Sequence, residues 1–424
     1  MLDIKFIRDN LDVVKAGAKK KCIEVDLNKL IIADDRRRVL LQEVEKMRAK
    51  QNEVSDAVVK ASEEEKQRLI TEMRTLKETL QAKEKEFEEV MHEWQLLMVQ
   101  VPNVPEVSVP EGASDADNQQ VRTWGTKPEF SFTPKSHTEL MQELDIADFE
   151  RGAKVSGFRG YFLKGDGVLL NHAIWQFVTD YFVKKGGFMP MMVPSLVKRV
   201  AFLGTGYLPQ GEEDLYKTQD GDFLAGTGEV GAMAYYMNET LPKESLPVKV
   251  LAFSPCFRRE AGSHGKDTKG LMRVHEFFKF EQVVLCEASH EESVRLHEEI
   301  TRNAEDMLQA LEIPHRVVVN CGGDLGLGQV KKYDIESWVP SEQKYRETHS
   351  SSYFHDFQTR RLNIRYRDAD GKLTLLHSLN NTALATPRIL ISIIENNQQA
   401  DGSILIPRVL QTYMGKRKIE KKAS

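Results

Sequence analysis

From Leu69 onward the apolar residues run Leu69, Met73, Leu76 and Leu80, then Phe87, Val90, Trp94 and Leu97, with Lys83 standing in the one polar place. The steps alternate four and three, the repeat that keeps a single stripe of a long helix against a partner helix. A shorter run of the same kind, Leu40, Val44, Met47, Gln51, Val54 and Val58, precedes it. Between the two, Ser62-Glu63-Glu64-Glu65 predicts a capping box that opens the second helix. The reading is therefore a long antiparallel α-helical hairpin, a coiled coil. At 1.5 Å per residue a second helix of about 35 residues reaches roughly 50 Å, far more than a small core requires. Such an arm projects to touch something, and a plain dimerisation coiled coil is the competing reading. Lys19-Lys20-Lys21, Arg36-Arg37-Arg38, Lys46, Arg48 and Lys50 are suited to tracking a phosphate backbone, although glutamates surround them.

The arm's texture ends at Val101-Pro102-Asn103-Val104-Pro105, followed by Pro110 and Gly112, a helix-breaking hinge. The expected domains are 1–103, the helical arm, and 104–424. A chain of 424 residues has room for two or three units. Its 59 basic and 64 acidic side chains give a net charge of −5, so affinity for a polyanion has to come from local patches. Cys22, Cys256, Cys286 and Cys321 lie far apart with no C-x-x-C pair, which argues against a disulfide framework and against a structural zinc. The N-terminus MLDIKFIRDN lacks an apolar signal core, and the most apolar helical stretch, 168–183, is interrupted by Asn171, His172, Gln176 and Asp180. The expectation is a cytoplasmic protein with no membrane span.

Past the hinge, helical patterns cover about 137–150 and 167–185, and strand-like runs cover 248–253, 277–285, 316–320, 362–366 and 373–376. They do not alternate as βαβ units, and neither G-x-G-x-x-G nor G-x-x-x-x-G-K-[ST] occurs. An α+β domain on an antiparallel sheet follows.

Three segments carry chemistry. In the first, Phe257 to Gly262 leads through a polar loop to a strand over 277–285, a hairpin. A period of two puts Arg258 with Glu260 and Phe277 with Glu281 on shared faces. Arg donates a bidentate fork to phosphate, Phe stacks on a base, and a carboxylate holds an ammonium or hydroxyl, a set suited to a nucleotide plus an amino acid. Ordinary surface ion pairs on a hairpin are the alternative. In the second, Glu347 and Ser350 offer hard oxygens of the kind Mg²⁺ takes beside nucleotide phosphates, while three consecutive serines also suit a solvated turn. In the third, Thr386 as N-cap and Pro387 at the first helical position start a helix running through 389–394. Arg388 there opposes the helix dipole unless it faces an anion.

Six strings, VPNVPEVSVPEG, GYFLKGDGVLL, FRREAGSHGKDTKGLMRVHEF, YDIESWVP, DFQTRR and LHSLNNTALATPR, resemble the bacterial-type seryl-tRNA synthetases in order and spacing across almost the whole chain. That resemblance implies a class II synthetase domain over 104–424 with a six-stranded antiparallel sheet and flanking helices, a homodimer built around 169–194, and an arm over 1–103 that grips the long variable arm of serine tRNA. It implies ATP-dependent attachment of L-serine to serine tRNA through a seryl-adenylate, with ATP and Mg²⁺ required, and leaves open whether selenocysteine tRNA is also a substrate.

Carried over by position, Arg258 holds the α-phosphate, Glu260 the adenine side, Phe277 stacks on adenine and Arg388 meets the γ-phosphate. Glu347 and Ser350 serve metal and phosphate, with Arg259, Val274, Thr348 and His349 among the ATP contacts. Thr227, Gly228 and Glu229 match the serine-pocket segment, and Glu281 and Thr382 contact the serine ammonium and hydroxyl. The loop 266–273 is expected at the tRNA acceptor end, and the basic tail 416–422 is expected to be solvated. The chain also departs from the family pattern. It has Thr227-Gly228-Glu229 where T-S-E is usual, which predicts a looser serine pocket, and Asn381, Pro387 and Tyr353 replace two usual glycines and an asparagine. Competing readings are a synthetase-like RNA- or protein-binding paralogue and a ligase acting on a carrier protein.

Overall fold

A computed structural model describes residues 1–262, 265 and 267–421. Lys266 of the expected RNA-contacting loop and Lys422 of the basic tail lie outside the described residues. Contacts divide the chain into two units: Leu2–Lys19 with Ile23–Pro102, and Met1 with Lys20–Cys22 and Asn103–Ser424.

The smaller unit is dominated by helix α1 (Leu27–Lys60) and helix α2 (Glu63–Met98), paired as a hairpin. The seam residues Leu40, Val44, Val54, Leu80 and Val90 are buried between them. Ser62 is the N-cap of α2, but its side chain makes no capping bond, so the expected box does not form. Glu63, Glu64 and Glu65 instead favour that end by placing negative charge on the first turn. The polar break at Lys83 is answered across the seam by Glu43 at 2.9 Å. Arg36 pairs with Glu86 at 2.9 Å, Arg48 with Glu84 at 2.7 Å and Lys50 with Glu72 at 2.8 Å. Several cations that the sequence offers to a phosphate backbone are thus already paired with glutamates of the opposite helix. Being exposed, each pair adds little stability, and the apolar seam does most of the holding. Leu80→Ala is predicted to destabilise the hairpin by about 2 kcal/mol or more, read as a lowered midpoint in thermal unfolding followed by far-ultraviolet circular dichroism.

The larger unit is built on one sheet. In chain order the strands of that sheet and the three longest helices packed on it are β1 (Gln119–Trp124), α3 (Asp166–Lys185), β2 (Met189–Met192), β3 (Val248–Phe257), β4 (Glu276–Cys286), α4 (His290–Ala310), β5 (His315–Val319), β6 (Lys331–Val339), β7 (Lys344–His355), β8 (His377–Thr386) and α5 (Arg388–Asn396). The strand order is β1-β5-β6-β7-β8-β4-β3-β2, antiparallel throughout except for the parallel pair β2 and β3. The six central strands are the expected antiparallel sheet, and β1 and β2 extend its edges. Both edges are hard to read in sequence: β1 is mostly exposed and polar, and β2 carries Pro190, which only an edge tolerates.

Helices α3, α4 and α5 cover one face. Leu170, Ile174 and Phe182 of α3, Leu296, Ile300 and Met307 of α4, and Ile389 to Ile394 of α5 pack there with Phe280, Val284, Ile335 and Leu384 of the sheet. The opposite face buries Val250, Ala252, Val283 and Leu285 at one end and leaves the rest of β4 for a cavity.

Three local expectations are corrected. The helical pattern over 137–150 is two helices, His137–Glu143 and Phe149–Ser156, parted where Asp145 adopts φ 55°. The run 362–366 is the end of a helix, Phe357–Leu362, followed by the strand Arg365–Arg367. Thr386 ends β8 rather than capping α5; Pro387 is the N-cap and Arg388 the first helical residue.

Candidate active site

Side chains of a strand alternate between faces, and β4 obeys this over its whole length. Phe280 and Val284 go to the helix-covered core, whereas Phe277, Lys279 and Glu281 face the other way and line two adjoining cavities. The neighbouring strands need more than alternation. Thr382 and Ala385 are three apart, as are Glu347 and Ser350, spacings that an unbroken strand sends to opposite faces.

Each strand carries a bulge at that place. Glu281 pairs with Thr382 while Phe280 pairs with Leu384, so Ala383 is the extra residue of β8. Ile335 pairs with His349 while Glu336 pairs with Glu347, so Thr348 is the extra residue of β7. A bulge resets the phase of the side chains. Thr382 and Ala385 therefore line one cavity together, and Glu347 and Ser350 line the other.

The narrower cavity is walled by Arg258, Glu260, Val274, Phe277, Glu347 and Arg388. Arg258 and Glu260 lie just past the end of β3, where Glu260 adopts φ 57°, so the chain's turn and not a strand period brings them in. The Arg258 guanidinium lies 5.3 Å from the Phe277 ring centroid and donates from Nε to the Gly226 carbonyl at 3.3 Å. Glu260 is held across the hairpin by Arg273 at 2.9 Å. Arg388 donates to the carbonyls of Met272 at 3.1 Å and Glu347 at 2.9 Å, and lies 3.4 Å from the Glu347 carboxylate. Partial desolvation at the cavity wall pushes the half-exposed Glu347 carboxyl up, but Arg388, Lys332 and Arg258 outweigh it and hold the group below its ordinary range, ionised. Below it, burial pushes Asp334 up to about 6 against the opposing Lys332 charge, and Ser350 hydrogen-bonds to it.

The second cavity, about 300 Å³, is lined by Thr227, Glu229, Glu281, Thr382, Ser350 and the loop 326–329. Lys279 donates to Thr227 Oγ1 at 2.8 Å and forms a short ion pair with Glu281. Glu229 accepts from the Tyr207 hydroxyl at 2.8 Å and from Gln358 at 2.6 Å.

The remaining expected residues divide. Val274 and Thr348 line the narrower cavity. His349 does not line either cavity: the same alternation turns it into the interior, where burial pushes its imidazole down to about 3 and it contacts Thr348 Oγ1 at 2.9 Å. Arg259 is directed to the Glu213 carbonyl at 3.1 Å and is absent from both walls. Gly228 faces the sheet: a Cβ there would stand 3.3 Å from Ala252 Cβ and from Ser254 Oγ. Its missing side chain does not enlarge the cavity, so the expected loosening of the pocket does not follow. Asn381 donates to the Ile300 carbonyl at 2.6 Å and Tyr353 to Glu106 at 2.8 Å; neither lines the cavities, and Arg388 keeps its place beside Pro387. Lys279, Tyr207, Gln358, Asp334 and the loop 326–329 were not foreseen. Of these only Lys279 carried a signal, sitting midway between Phe277 and Glu281 on a period of two.

Burial raises the Glu229 carboxyl above its ordinary value, against the lowering effect of Gln358 and Tyr207. A carboxyl raised in the folded state gives stability that is complete below the unfolded value and is lost as pH rises through the folded one. Glu229→Gln keeps an acceptor for Gln358 and offers the Tyr207 oxygen a donor. Its urea midpoint is predicted to gain on that of the unaltered chain as pH is raised from acid to neutral.

Residues 216–397 match the family described as tRNA synthetase class II core domain (G, H, P, S and T), and residues 1–105 match the seryl-tRNA synthetase N-terminal domain. The chain is 46% identical over 420 residues to a serine–tRNA ligase of Deinococcus radiodurans, covering 99% of each chain. It is 44% identical over 428 residues to that of Bacillus subtilis, covering 99% of this chain and 100% of the other. Among solved structures it is similar to a seryl-tRNA synthetase from Pyrococcus horikoshii complexed with ATP, at TM-score 0.89 and 38% identity with both chains fully covered. A cytoplasmic serine–tRNA ligase of Naegleria fowleri in complex with AMP gives TM-score 0.86 at 31% identity, covering 100% of this chain and 99% of that one.

Proposed function

The chain belongs to the seryl-tRNA synthetases of class II and attaches serine to tRNA with ATP, and we propose that the two adjoining cavities are where it does so. In this reading ATP lies over β4 with adenine on Phe277, the α-phosphate at Arg258 and the γ-phosphate toward Arg388, while Glu260 meets the adenine side. Serine occupies the neighbouring cavity, its ammonium and hydroxyl at Glu281, Thr382, Thr227 and Glu229. The observation that carries the reading is the convergence of Arg258, Phe277, Glu281, Thr382, Glu347 and Arg388 on one sheet face.

The chemistry then needs no covalent enzyme intermediate. The serine carboxylate attacks the α-phosphorus and pyrophosphate leaves; the tRNA terminal ribose hydroxyl later attacks the seryl carbonyl of the bound adenylate, forming the ester as the acyl–phosphate bond breaks and AMP leaves. Arg258 answers the charge that grows on the α-phosphate, and its contacts to Phe277 and Gly226 hold it ready beforehand. Holding both substrates on one rigid face supplies most of the remaining acceleration. Glu347 and Ser350 fit Mg²⁺: the carboxylate is held ionised, the hydroxyl shares its face, and both are hard oxygens. Mg²⁺, if held by these two residues, would neutralise phosphate charge. Alanine is disfavoured because it leaves buried hydroxyl partners unmet, and threonine because a methyl group lacks space.

The N-terminal hairpin, 1–103, is the tRNA-gripping arm and 104–424 the catalytic domain. Since many hairpin cations are paired, recognition of the variable arm rests on RNA shape and backbone over a limited patch. A homodimer is supported by an open apolar groove of about 530 Å³ lined by His172, Trp175, Met191, Met192 and Phe253, with Met192 and Leu196 exposed beside it. No helix among the described residues is long and apolar enough to cross a membrane, and the working location in this reading is the cytoplasm.

Exchange of labelled pyrophosphate into ATP is expected with serine and not with glycine, alanine or threonine; no exchange with any amino acid would contradict the catalytic reading. Arg258→Ala and Arg388→Ala should each lower the exchange rate about a hundredfold or more. Replacing residues 60–65 and the adjoining hairpin by a short linker should spare exchange but damage tRNA charging, and equal loss of both would contradict the division of labour.

A further inference from the structure

The lysine run at 19–21 reads in sequence as a phosphate-facing flank, but its third member is 2% exposed. The Lys21 ammonium donates to the backbone carbonyls of Gly326 at 3.0 Å, Leu327 at 3.0 Å and Gln329 at 2.5 Å. Burial pushes this amine well below its usual range; as an ammonium it has three donors, and all three are spent on one loop. Asn103 adds two bonds, from its backbone amide to the Leu327 carbonyl at 2.8 Å and from its side chain to the Gly328 carbonyl at 3.1 Å. Every carbonyl of the loop 326–329 is thereby anchored. The Gln329 side chain closes the loop from within, accepting from the Gly326 amide at 2.6 Å and donating to Ser352 at 2.8 Å.

This loop is a wall of the 300 Å³ cavity, facing Glu281 and Thr382. Two of its four residues are glycines, so backbone position more than side-chain size sets where the wall stands. What holds the carbonyls therefore sets the width of the cavity.

We propose that Lys21 is a positioning residue for the amino-acid pocket, its ammonium fixing the wall 326–329 so that the cavity admits a hydroxymethyl side chain and little more. The proposal rests on the assignment of this cavity to serine. Lys21→Met keeps the stem but offers no donor: the Gln329 carbonyl is left unanswered, the Gly326 and Leu327 carbonyls keep only the backbone amides of Gln329 and Asn103, and the wall is freer to shift.

The test is pyrophosphate exchange by the full chain with Lys21→Met, Lys21→Gln, Lys21→Arg and Glu281→Gln, with thermal midpoints measured alongside. Lys21→Met is expected to raise KM for serine about tenfold while KM for ATP stays within about twofold, and to narrow the discrimination against threonine. Lys21→Gln should fall between Met and the unaltered chain, and Lys21→Arg should restore most of both properties. Should Lys21→Met fail to fold, the ordering of the Gln and Arg variants reads the same effect. Unchanged serine KM and threonine discrimination in the Lys21 variants would overturn the proposal, as would serine and ATP KM rising together with a lowered midpoint. Glu281→Gln separates the two layers: no change in its serine KM removes the pocket assignment itself, whereas a large change beside inert Lys21 variants removes only the role of Lys21.

Discussion

A β-strand gives successive side chains to opposite faces, and the cavities over this sheet require residues three apart to stand on the same face. The bulges at Ala383 in β8 and Thr348 in β7 reconcile the two demands. Without them Thr382 and Ala385 would part company, as would Glu347 and Ser350, and β4 would present Phe277, Lys279 and Glu281 to an incomplete surface. A bulge adds one residue and locally disrupts the ladder, a disturbance that β7 and β8 tolerate because both lie in the middle of the sheet, bonded on each side.

Charge is arranged around the same geometry. Arg388, Lys332 and Arg258 surround the half-exposed Glu347 closely enough to keep it ionised. Lys279 meets Glu281 in the neighbouring cavity, so Glu347 and Glu281 each have a cation at hand before any ligand arrives. In a site that handles a polyphosphate and a zwitterion, such prior pairing limits the reorganisation that binding demands. The far side of the sheet provides the rigidity: α3, α4 and α5 pack into a continuous apolar core that fixes the strands from beneath.

Much of this was legible in the chain. The hairpin was, because a four-three repeat over nine positions has few alternatives, and so were β3, β4 and the convergence of Arg258 with Phe277. Strand β7 was not. Its serines suited a turn as well as a site, yet Ser351 is buried under α4, where Thr301 bonds it at 2.8 Å, and Ser352 is buried on the cavity side against Gln329. Small polar residues at such an approach look the same in sequence as a solvated bend. The face of Gly228, the inward turn of His349 and the burial of Lys21 were equally hidden, since each depends on partners brought from distant parts of the chain. The structure also shows that a cation in sequence is not a free cation: Arg36, Arg48 and Lys50 are each matched by a glutamate whose position only the pairing of α1 with α2 reveals.

The central claim is that one sheet face cradles the nucleotide and the amino acid side by side. A crystal structure of the chain with a non-hydrolysable seryl-adenylate analogue tests it most directly. The account predicts adenine stacked on Phe277, the phosphate mimic bonded to Arg258, and the serine hydroxyl bonded to Glu281 or Thr382. Density for the analogue elsewhere, or with its serine end turned away from β4, would contradict it.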